Sequence, residues 1–184
     1  LDVVKGEDGR FHMFASCWEK ELGFGANWLF NSRVVRAVSD TPEGPFRLEE
    51  TVLPRRGRQY FDGMNTHNPY IRYWNGKYYL YYMGTTYGCP VPTHMDQISS
   101  ELFTETWNKK RIGLAVSHSV FGPWERRDTP LLEPRDCSFW DCTATTNPAV
   151  AILEDGRTYM LYKSRSYANA TLQIGVAMAE RPDG

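Results

Sequence analysis

The sequence predicts an all-β fold, a β-propeller made of four-stranded antiparallel blades. Three observations support this fold class. The same order of strand motifs occurs three times along the 184 residues, which is the pattern of a repeat protein. The repeated segments are short and rich in Tyr, Phe, Val and Ile, and glycine and proline lie between them. The best helical pattern, DQISSELFTETWNKK at 96–110, lies between two predicted strands, and we expect it to be an insertion with a short helix.

The first motif of each repeat is a strand that begins with glycine. It reads GRFHMFAS at 9–16, GKYYLYYM at 76–83 and GRTYMLYK at 156–163. An Asp or Asn residue precedes each glycine, and these dipeptides favour the tight turn of a β-hairpin. We therefore expect a further strand before each motif, in VVKGED, YIRYWN and AVAILED. Both faces of the strand at 76–83 are apolar, which predicts burial between neighbouring blades.

The second motif is a strand of small residues. It reads RVVRAVS at 33–39, RIGLAVS at 111–117 and QIGVAMA at 173–179. A turn that contains glycine follows each copy, as DTPEGPF, HSVFGPW and ERPDG. After the first two turns a fourth strand is predicted, in FRLEETVL and WERRDTPLL. The repeating unit therefore has four antiparallel strands, as a propeller blade has.

The repeat divides a partial propeller domain, 1–184, into blades at 1–58 and 59–135 and an incomplete blade at 136–184. These residues supply about two and two-thirds blades, whereas a propeller closes with at least about four. Three blades alone would leave strand edges unpaired. We therefore expect the residues to belong to a longer chain, or to be completed by a partner.

Composition excludes several classes of function. A net charge of −1 provides no basic face for a nucleic acid, so no nucleic-acid partner is expected. No run of about 18 apolar residues is present, so no membrane partner is expected either. The four cysteines fit no zinc motif, and we expect mostly free thiols, with disulfides as the alternative. Aromatic residues make up 14% of the chain, which fits a large aromatic core and also fits a surface that stacks on sugars.

One phrase occurs twice, as QYFDGMNTHNPYI at 59–71 and SFWDCTATTNPAV at 138–150. Each copy has an aromatic residue, then an aspartate, Asp62 or Asp141, and an Asn-Pro pair after it. Either each aspartate holds its loop by accepting backbone N–H bonds, or the two carboxylates meet at one site. The second alternative has a physical basis, because the innermost strands of a propeller converge on its axis.

His67 departs from the repeat, because the third blade has Thr146 at that position. A residue that differs from its own repeat is less needed for the blade. Histidine forms hydrogen bonds to sugar hydroxyls and transfers protons near neutral pH. The alternative is a packed histidine with a structural role.

Further polar residues lie at the ends of the predicted strands, where they would border the central funnel. Asn68 and Asn147 each offer a donor and an acceptor to a sugar, or they hold the turn at the following proline. Trp18, Lys163 and Arg165 follow the glycine-led strands. They would contact a sugar or its acidic substituent, or else form a solvated rim.

Two stretches, NPYIRYWNGKYYLYY and RIGLAVSHSVFGPWER, resemble the five-bladed β-propeller glycosidases, of which glycoside hydrolase family 43 and its sucrose- and fructan-cleaving relatives are the nearest. VKGEDGRFHMFAS, FDGMNTHNPYI and GKYYLYYMGTT are most similar to an uncharacterised bacterial group within them. The resemblance covers nearly the whole chain and implies five blades when complete. It also implies three carboxylates at the bottom of the funnel: an Asp base in the first blade, an Asp that tunes the acid in the third, and a Glu acid in the fourth.

This chain departs from that family pattern. The first-blade position falls at or just before Leu1–Asp2, and Asp2 is one or two residues off the register. The second-blade turn matches 67–69, and Asn147 stands where the third blade would have its Asp. The fourth blade, with the acid, lies outside these residues. Glu43 in PEGPF is a false match to the family's Glu-Gly-Pro, because the repeat aligns it with Phe121 in an outer turn.

The resemblance implies a glycoside hydrolase that acts on a plant or algal oligosaccharide by paired-carboxylate acid/base catalysis, with inversion. Such catalysis needs two carboxyl groups about 5 to 9.5 Å apart. The candidate catalytic residues are Asp62, Asp141 and His67, and the candidate substrate-binding residues are Asn68, Asn147, Trp18, Lys163 and Arg165. The alternative is a carbohydrate-binding propeller without catalysis, which the missing acid and Asn147 both allow. No cofactor and no metal is expected, and a periplasmic or extracellular location is favoured over a cytoplasmic one.

Overall fold

The computed structural model describes residues 1–168 and 171–184, and these residues form three antiparallel β-sheets. Sheet 1 contains β1 (Asp2–Lys5), β2 (Phe11–Cys17), β3 (Arg33–Ser39) and β4 (Arg47–Leu53). Sheet 2 contains β5 (Asn65–Trp74), β6 (Lys77–Thr85), β7 (Arg111–Ser117) and β8 (Glu125–Arg126). Sheet 3 contains β9 (Thr146–Ile152), β10 (Thr158–Ser164) and β11 (Gln173–Ala179). The predicted all-β fold with four-stranded antiparallel blades is confirmed.

The third strand of each repeat lies where the sequence predicts it. β3, β7 and β11 occupy 33–39, 111–117 and 173–179. The glycine-led strands begin one or two residues after their glycines, because these glycines take positive φ angles in the hairpin turns. The three glycines are Gly9, Gly76 and Gly156, with φ of 80°, 77° and 92°.

The fourth strand of sheet 2 is shorter than predicted. The sequence predicts a strand in 124–132, whereas β8 covers only Glu125–Arg126. Pro130 has no N–H to donate and interrupts the ladder. Contact with β7 resumes at Leu131, whose N–H donates to the Ile112 carbonyl at 2.7 Å.

Two short α-helices lie in the connections between second and third strands. α1 spans Asn27–Phe30 and α2 spans Ser100–Asn108. The helix predicted within 96–110 is therefore confirmed, and Ser99 caps it by accepting a hydrogen bond from Leu102 N at 3.2 Å. The sequence did not predict α1, because four residues are too few to show helical periodicity. Two 3₁₀ helices, Lys20–Leu22 and Met95–Gln97, complete these connections.

β6 is buried between its neighbours on both faces, as its apolar pattern predicts. One face joins a core with sheet 1 that includes Phe14, Val34, Tyr78, Leu80 and Tyr82. The other face joins a core with sheet 3 that includes Tyr79, Tyr81, Val150, Met160 and Tyr162. The aromatic residues of this strand therefore serve packing between blades.

A third apolar cluster lies outside the sheets, in the connections that carry the helices. It includes Leu29, Phe30, Tyr87, Trp107 and Ala144, and Trp28 and Phe103 pack against it. Strand 1 begins, strand 2 ends and strand 3 begins at the same end of an antiparallel blade. This cluster therefore builds one end of the molecule.

One face of sheet 3 is apolar and exposed. Four alternate apolar side chains are at least half exposed: Leu161, Ile174, Val176 and Met178. Among their equivalents in sheet 2, Tyr81, Ile112 and Leu114 are buried and Val116 is partly buried, because sheet 2 has a neighbour on both sides.

All four cysteines are free thiols, as expected. Cys137 is exposed, Cys142 is buried, and Cys17 and Cys89 are partly buried. In the part of the chain that the structure describes, no helix is long and apolar enough to span a bilayer.

Candidate functional site

The end that carries the helices, which we call the funnel mouth, collects polar residues from all three sheets. The starts of β5 and β9, the ends of β2, β6 and β10, and the connections at 18–32, 86–110 and 165–168 border it. The repeated phrase enters this end just before β5 and β9.

Asp62 is fully buried where the first and second sheets meet. Its Oδ1 accepts a hydrogen bond from Arg56 Nε at 2.8 Å. Its Oδ2 accepts from the Tyr82 hydroxyl at 2.6 Å and from Arg126 Nη2 at 2.6 Å. Burial, together with the Asp62 carboxylate, raises the pKa of Tyr82, so this phenol stays a donor. Two guanidinium groups and a phenol therefore donate hydrogen bonds to the two oxygens of the Asp62 carboxylate.

Asp141 has equivalent surroundings one blade later. Its Oδ1 accepts from Arg135 Nε at 2.8 Å, and its Oδ2 accepts from the Tyr162 hydroxyl at 2.5 Å. Arg135 precedes Asp141 by the same number of residues as Arg56 precedes Asp62. The repeated phrase thus forms the same Arg–Asp–Tyr contact twice.

The aromatic residue of each copy packs on a glycine of the third strand. A Cβ atom on Gly113 would lie 2.8 Å from the Phe61 ring, and one on Gly175 would lie 2.7 Å from the Trp140 ring. Trp140 also stacks on Tyr162, with ring centroids 5.9 Å apart. The two copies are therefore one structural unit used twice.

These contacts favour the structural alternative for Asp62 and Asp141. Their main partners are arginine and tyrosine side chains, however, rather than the backbone N–H groups that the sequence suggested. Among the described contacts, none joins Asp62 to Asp141.

A threonine in each phrase ties one blade to the blade before it. Thr66 Oγ1 accepts from Val34 N at 3.1 Å and donates to the Leu53 carbonyl at 3.1 Å. The Thr66 N–H donates to the Ser32 carbonyl at 3.3 Å.

Thr145 repeats these contacts between the second and third blades. Its Oγ1 accepts from Ile112 N at 3.1 Å and donates to the Leu132 carbonyl at 2.7 Å. Its N–H donates to the Lys110 carbonyl at 3.2 Å. Ser32 and Lys110 therefore occupy equivalent positions, each just before a third strand.

His67 lies at the start of β5 and faces the first blade. Its Nδ1 shares a hydrogen bond of 2.9 Å with Ser32 Oγ. Its ring centroid lies 5.8 Å from that of Trp28 and 6.2 Å from that of Trp18. Burial, then the positive charge of Lys110 and of the N-terminus, lowers the pKa of His67 to about 4. His67 is therefore a neutral imidazole near pH 7.

Asn68 and Asn147 form equivalent bulges in the inner strands. Both take left-handed backbone angles, with φ of 47° and 55°, which asparagine tolerates better than most residues. The Asn68 N–H donates to Ser16 Oγ at 2.9 Å, and Asn147 Oδ1 accepts from Thr146 Oγ1 at 2.8 Å. β-Bulges change the direction of neighbouring side chains and are common beside active sites.

Lys110 is a functional candidate that sequence reasoning missed. It is only 2% exposed, and no carboxylate in the described chain forms an ion pair with it. Its Nζ lies 3.7 Å from the ring centroid of Trp107 and 5.4 Å from that of Trp28. Burial, followed by the positive charges of Lys163 and Arg165, holds the pKa of Lys110 well below its ordinary value.

These contacts form a continuous series across the three blades. Arg165 extends it, because its Cζ lies 4.0 Å from the ring centroid of Trp107. We call the series the aromatic–basic band, and its members are Trp18, His67, Trp28, Lys110, Trp107 and Arg165. The band thus brings together three of the predicted site residues, with Lys163 near Lys110, whereas Asp62 and Asp141 lie in their own buried pairs.

Asp2 lies beyond the equivalent position in the first blade. Strand register makes it correspond to Tyr70, two residues after Asn68. Its Oδ2 accepts from Arg72 Nη1 at 2.7 Å, so it forms an ion pair between blades. Glu43 lies exposed in the turn between β3 and β4, at the end opposite the funnel mouth.

A cavity of about 220 Å³ lies among the connections at the funnel mouth, where Glu19, Asn31 and Pro92 line it. A cavity of about 430 Å³ lies at the opposite end, where Tyr81, Met160 and Pro182 line it. It holds none of the residues of the band. Across residues 1–168 and 171–184, no group of three or more His, Cys, Asp and Glu side chains could hold a metal ion.

No protein-family model matches this sequence, and no curated protein matches it either. Solved structures are similar to it. A family 117 glycoside hydrolase from the marine bacterium Zobellia galactanivorans is 19% identical with a TM-score of 0.74, over 99% of this chain and 52% of that one. An α-L-arabinofuranosidase from Lactobacillus brevis is 11% identical with a TM-score of 0.59, over 95% of this chain and 50% of that one.

A xylan β-1,4-xylosidase from Bacillus halodurans C-125 is 15% identical with a TM-score of 0.61, over 96% of this chain and 30% of that one. The chain therefore spans about half the length, or less, of these structures. At such identities the likeness shows the fold, and it confirms the resemblance to propeller glycosidases at that level.

Proposed function

We propose that the chain is part of a glycoside hydrolase that acts on a plant or algal oligosaccharide, and that the funnel mouth binds the sugar. The aromatic–basic band is the observation that carries this proposal. Aromatic rings present flat apolar faces to sugar rings, and polar groups beside them bind the hydroxyls. The fold supports the proposal, because the similar structures include a family 117 glycoside hydrolase and a xylosidase.

Each predicted binding residue has a role that its surroundings allow. Trp18 is fixed by its own Nε1, which donates to the Gly23 carbonyl at 2.7 Å, so its ring is positioned to stack on a sugar. His67, neutral and oriented by Ser32, would exchange a hydrogen bond or a proton with a hydroxyl group. Asn68 and Asn147 would bind hydroxyls beside it.

Paired-carboxylate catalysis with inversion is the chemistry that the resemblance to family 43 implies. It needs one protonated and one ionised carboxyl group, about 6.5 to 9.5 Å apart in inverting enzymes. Asp62 and Asp141 are both engaged by arginine and tyrosine, which favours a supporting role for them. We propose that His67 contacts the substrate, and that the acid comes from residues beyond this chain.

A carbohydrate-binding propeller without catalysis is the second candidate. Its support is that the aromatic–basic band, as far as the structure describes it, contains no carboxylate. Binding needs only the aromatic and polar groups, whereas hydrolysis also needs an acid.

We also propose that the exposed apolar face of sheet 3 packs against a further blade. That blade would come from the remainder of a longer chain or from a partner. The support is the row of exposed apolar side chains on β10 and β11, since sheet 2 buries its equivalent row against a neighbour.

The test is a screen of the whole protein against arabinosides, xylosides, galactosides and fucosides, with release of reducing sugar as the readout. We expect hydrolysis of at least one class. Trp18→Ala should raise KM by about tenfold, because the loss of one stacked ring costs about 1 to 1.5 kcal/mol. Tyr73→Ala, which removes an exposed aromatic ring at the opposite end, is the matched control.

Each alternative outcome has a definite meaning. Retention of the protein on an immobilised oligosaccharide without hydrolysis of any would favour the binding propeller. Neither retention nor hydrolysis would overturn the proposed function.

A further inference from the structure

We propose that Lys110, Lys163 and Arg165 form a subsite for an anionic group on the sugar, either a carboxylate or a sulfate ester. This inference rests on the proposed function, because the subsite lies within the same sugar-binding surface. The geometry points to it through a buried lysine that has no carboxylate partner in the described chain, and that lies beside two further cations and two tryptophan rings.

Lys110 is buried. A buried ammonium group is strongly destabilising unless an anion or several hydrogen bonds compensate it. Arg36, which is also buried, is paired with Glu50 at 2.8 Å. Even Lys109, the neighbouring residue and half exposed, pairs with Glu105 at 2.5 Å. The amine of Lys110 lies instead on Trp107 and Trp28, so its protonated form has no counter-charge from the described chain, and a bound anion would supply one.

Two further cations, Lys163 and Arg165, neighbour Lys110. Arg165 lies over the ring of Trp107, and no acidic side chain within the described ranges pairs with it. Lys163 pairs across the ladder with Thr146, the residue before Asn147, so it lies at the start of the inner strand. Lys110 and Arg165 therefore both lie against the Trp107 ring, and Lys163 adds a third positive charge nearby. No carboxylate of the described chain neutralises them, which makes the region attractive to an anion.

Ser32 and Lys110 occupy equivalent positions in the first and second blades. The backbone carbonyl of each accepts a hydrogen bond from the N–H of a threonine in the next blade. The contact between blades therefore uses only the backbone carbonyl, and the side chain at this position can differ from blade to blade. The Ser32 side chain forms a hydrogen bond with His67, whereas the long cationic side chain of Lys110 extends to the rings of Trp107 and Trp28.

The charged and titratable groups around Lys110 are Lys163, Arg165 and His67, and none is acidic. Burial and these cations lower the pKa of Lys110, whereas a bound anion would raise it again. Charge-assisted hydrogen bonds from ammonium and guanidinium groups to carboxylate or sulfate oxygens are about twice as strong as neutral ones. A bound anion would therefore favour the charged form of Lys110.

The experiment compares anionic and neutral monosaccharides as ligands of the whole protein. The anionic probes are D-galacturonate, D-glucuronate and galactose 6-sulfate, and the neutral probes are D-galactose and D-glucose. The readout is tryptophan fluorescence, because Trp28 and Trp107 flank the amine. The first two anionic probes test for a carboxylate and the third for a sulfate ester.

We expect at least one anionic probe to bind about tenfold more tightly than its neutral parent, the worth of one charged hydrogen bond. Lys110→Met should abolish this preference, and Lys109→Met should retain it. Arg165→Gln should weaken the preference without loss of folding. Because Lys109 and Lys110 are adjacent in sequence, comparison of Lys109→Met with Lys110→Met separates the effect of the subsite from that of general surface charge.

The outcomes separate this inference from the proposed function. Hydrolysis of a neutral glycoside with no preference for anionic probes would overturn the subsite and leave the proposed function in place. Preferential binding of an anionic probe that Lys110→Met abolishes, without hydrolysis of any glycoside, would support the subsite and overturn the enzyme proposal. A preference that persists in Lys110→Met would also overturn the subsite.

Discussion

His67 is held neutral by its surroundings, and this makes the stability of the protein depend on pH. Its pKa is lowered from 6.5 to about 4, chiefly by burial. Between these values the unfolded chain binds a proton that the folded chain does not. The free energy of unfolding therefore falls as the pH drops from 6.5 to about 4, by about 3 kcal/mol in total.

Urea unfolding at pH 4.5 and at pH 7.5 checks this dependence. His67→Gln should show a smaller loss of stability at pH 4.5 than the unmodified protein. His118→Gln, which changes an exposed histidine, should behave as the unmodified protein does. An unchanged pH dependence in His67→Gln would contradict the burial of a neutral imidazole.

Substitution of Asp62 or Asp141 should chiefly lower the free energy of unfolding, and should affect catalysis only indirectly. Asp62→Asn leaves Arg126 and Arg56 with a buried, uncharged partner, and should destabilise the protein by about 3 to 5 kcal/mol. Asp141→Asn should cost less, because its partner Arg135 is 47% exposed. Thermal unfolding measures both. An Asp62→Asn variant that unfolds normally but loses about 100-fold in rate would instead make Asp62 catalytic.

The sequence could indicate some site residues and not others. His67 stood out because it breaks the repeat, and it lies at the funnel mouth with Ser32. Lys110 did not stand out, because Lys109-Lys110-Arg111 reads as a solvated run of charge. Only the chain path shows that the second of these side chains turns inward onto Trp107. Alignment of the residues before each third strand, Ser32 and Lys110, would have drawn attention to it.

At the scale of elements, the packing of the repeated phrase depends on two glycines. A Cβ atom on Gly113 would lie 2.7 Å from the Tyr82 ring, and one on Gly175 would lie 2.8 Å from the Tyr162 ring. Gly113→Ala and Gly175→Ala should each destabilise the protein by about 1 to 3 kcal/mol through overpacking. Gly88→Ala is the control, because nothing lies within 4 Å of its added atom. Equal stability of all three variants in urea would contradict the repeated unit.

Strands were more predictable than connections. β3, β7 and β11 are predicted from the repeated motif of small and apolar residues, and each pairs along its whole length with the second strand of its sheet. The short length of β8 and the presence of α1 could not be predicted from the periodicity of apolar residues. β8 is limited by one proline, and α1 is only four residues long. The connections carry the three tryptophans of the aromatic–basic band, Trp18, Trp28 and Trp107, so the proposed site depends on them.

At the scale of the whole molecule, the exposed face of sheet 3 makes a prediction about the intact protein. If a further blade covers this face, Val176→Cys should react slowly with a thiol reagent in the whole protein and rapidly in residues 1–184 alone. Leu48→Cys, on an exposed outer strand, should react rapidly in both. Peptide mapping by mass spectrometry separates these positions from the four native cysteines. Rapid reaction of Val176→Cys in the whole protein would contradict the covering blade.

The fold of the molecule could be predicted from three copies of one pattern, whereas the site could be predicted only in part. Residues that recur in both copies of the repeated phrase form the same hydrogen bonds in and between the blades. They are Asp62, Asp141, Thr66 and Thr145. Function is expected where the copies differ. His67 against Thr146, and Lys110 against Ser32, are the differences that meet in the aromatic–basic band.

The most direct test of this account is the kcat/KM of His67→Thr in the whole protein, on whichever glycoside it hydrolyses. Threonine is what the third blade carries at this position, so the variant should still fold, which its melting temperature at pH 7.5 checks. We predict a loss of about 100-fold or more, the usual contribution of a group that transfers a proton to or from the substrate. His118→Thr should leave the rate unchanged. A His67→Thr rate within about threefold of the unmodified protein, well below that contribution, would contradict the placement of the active site at the funnel mouth.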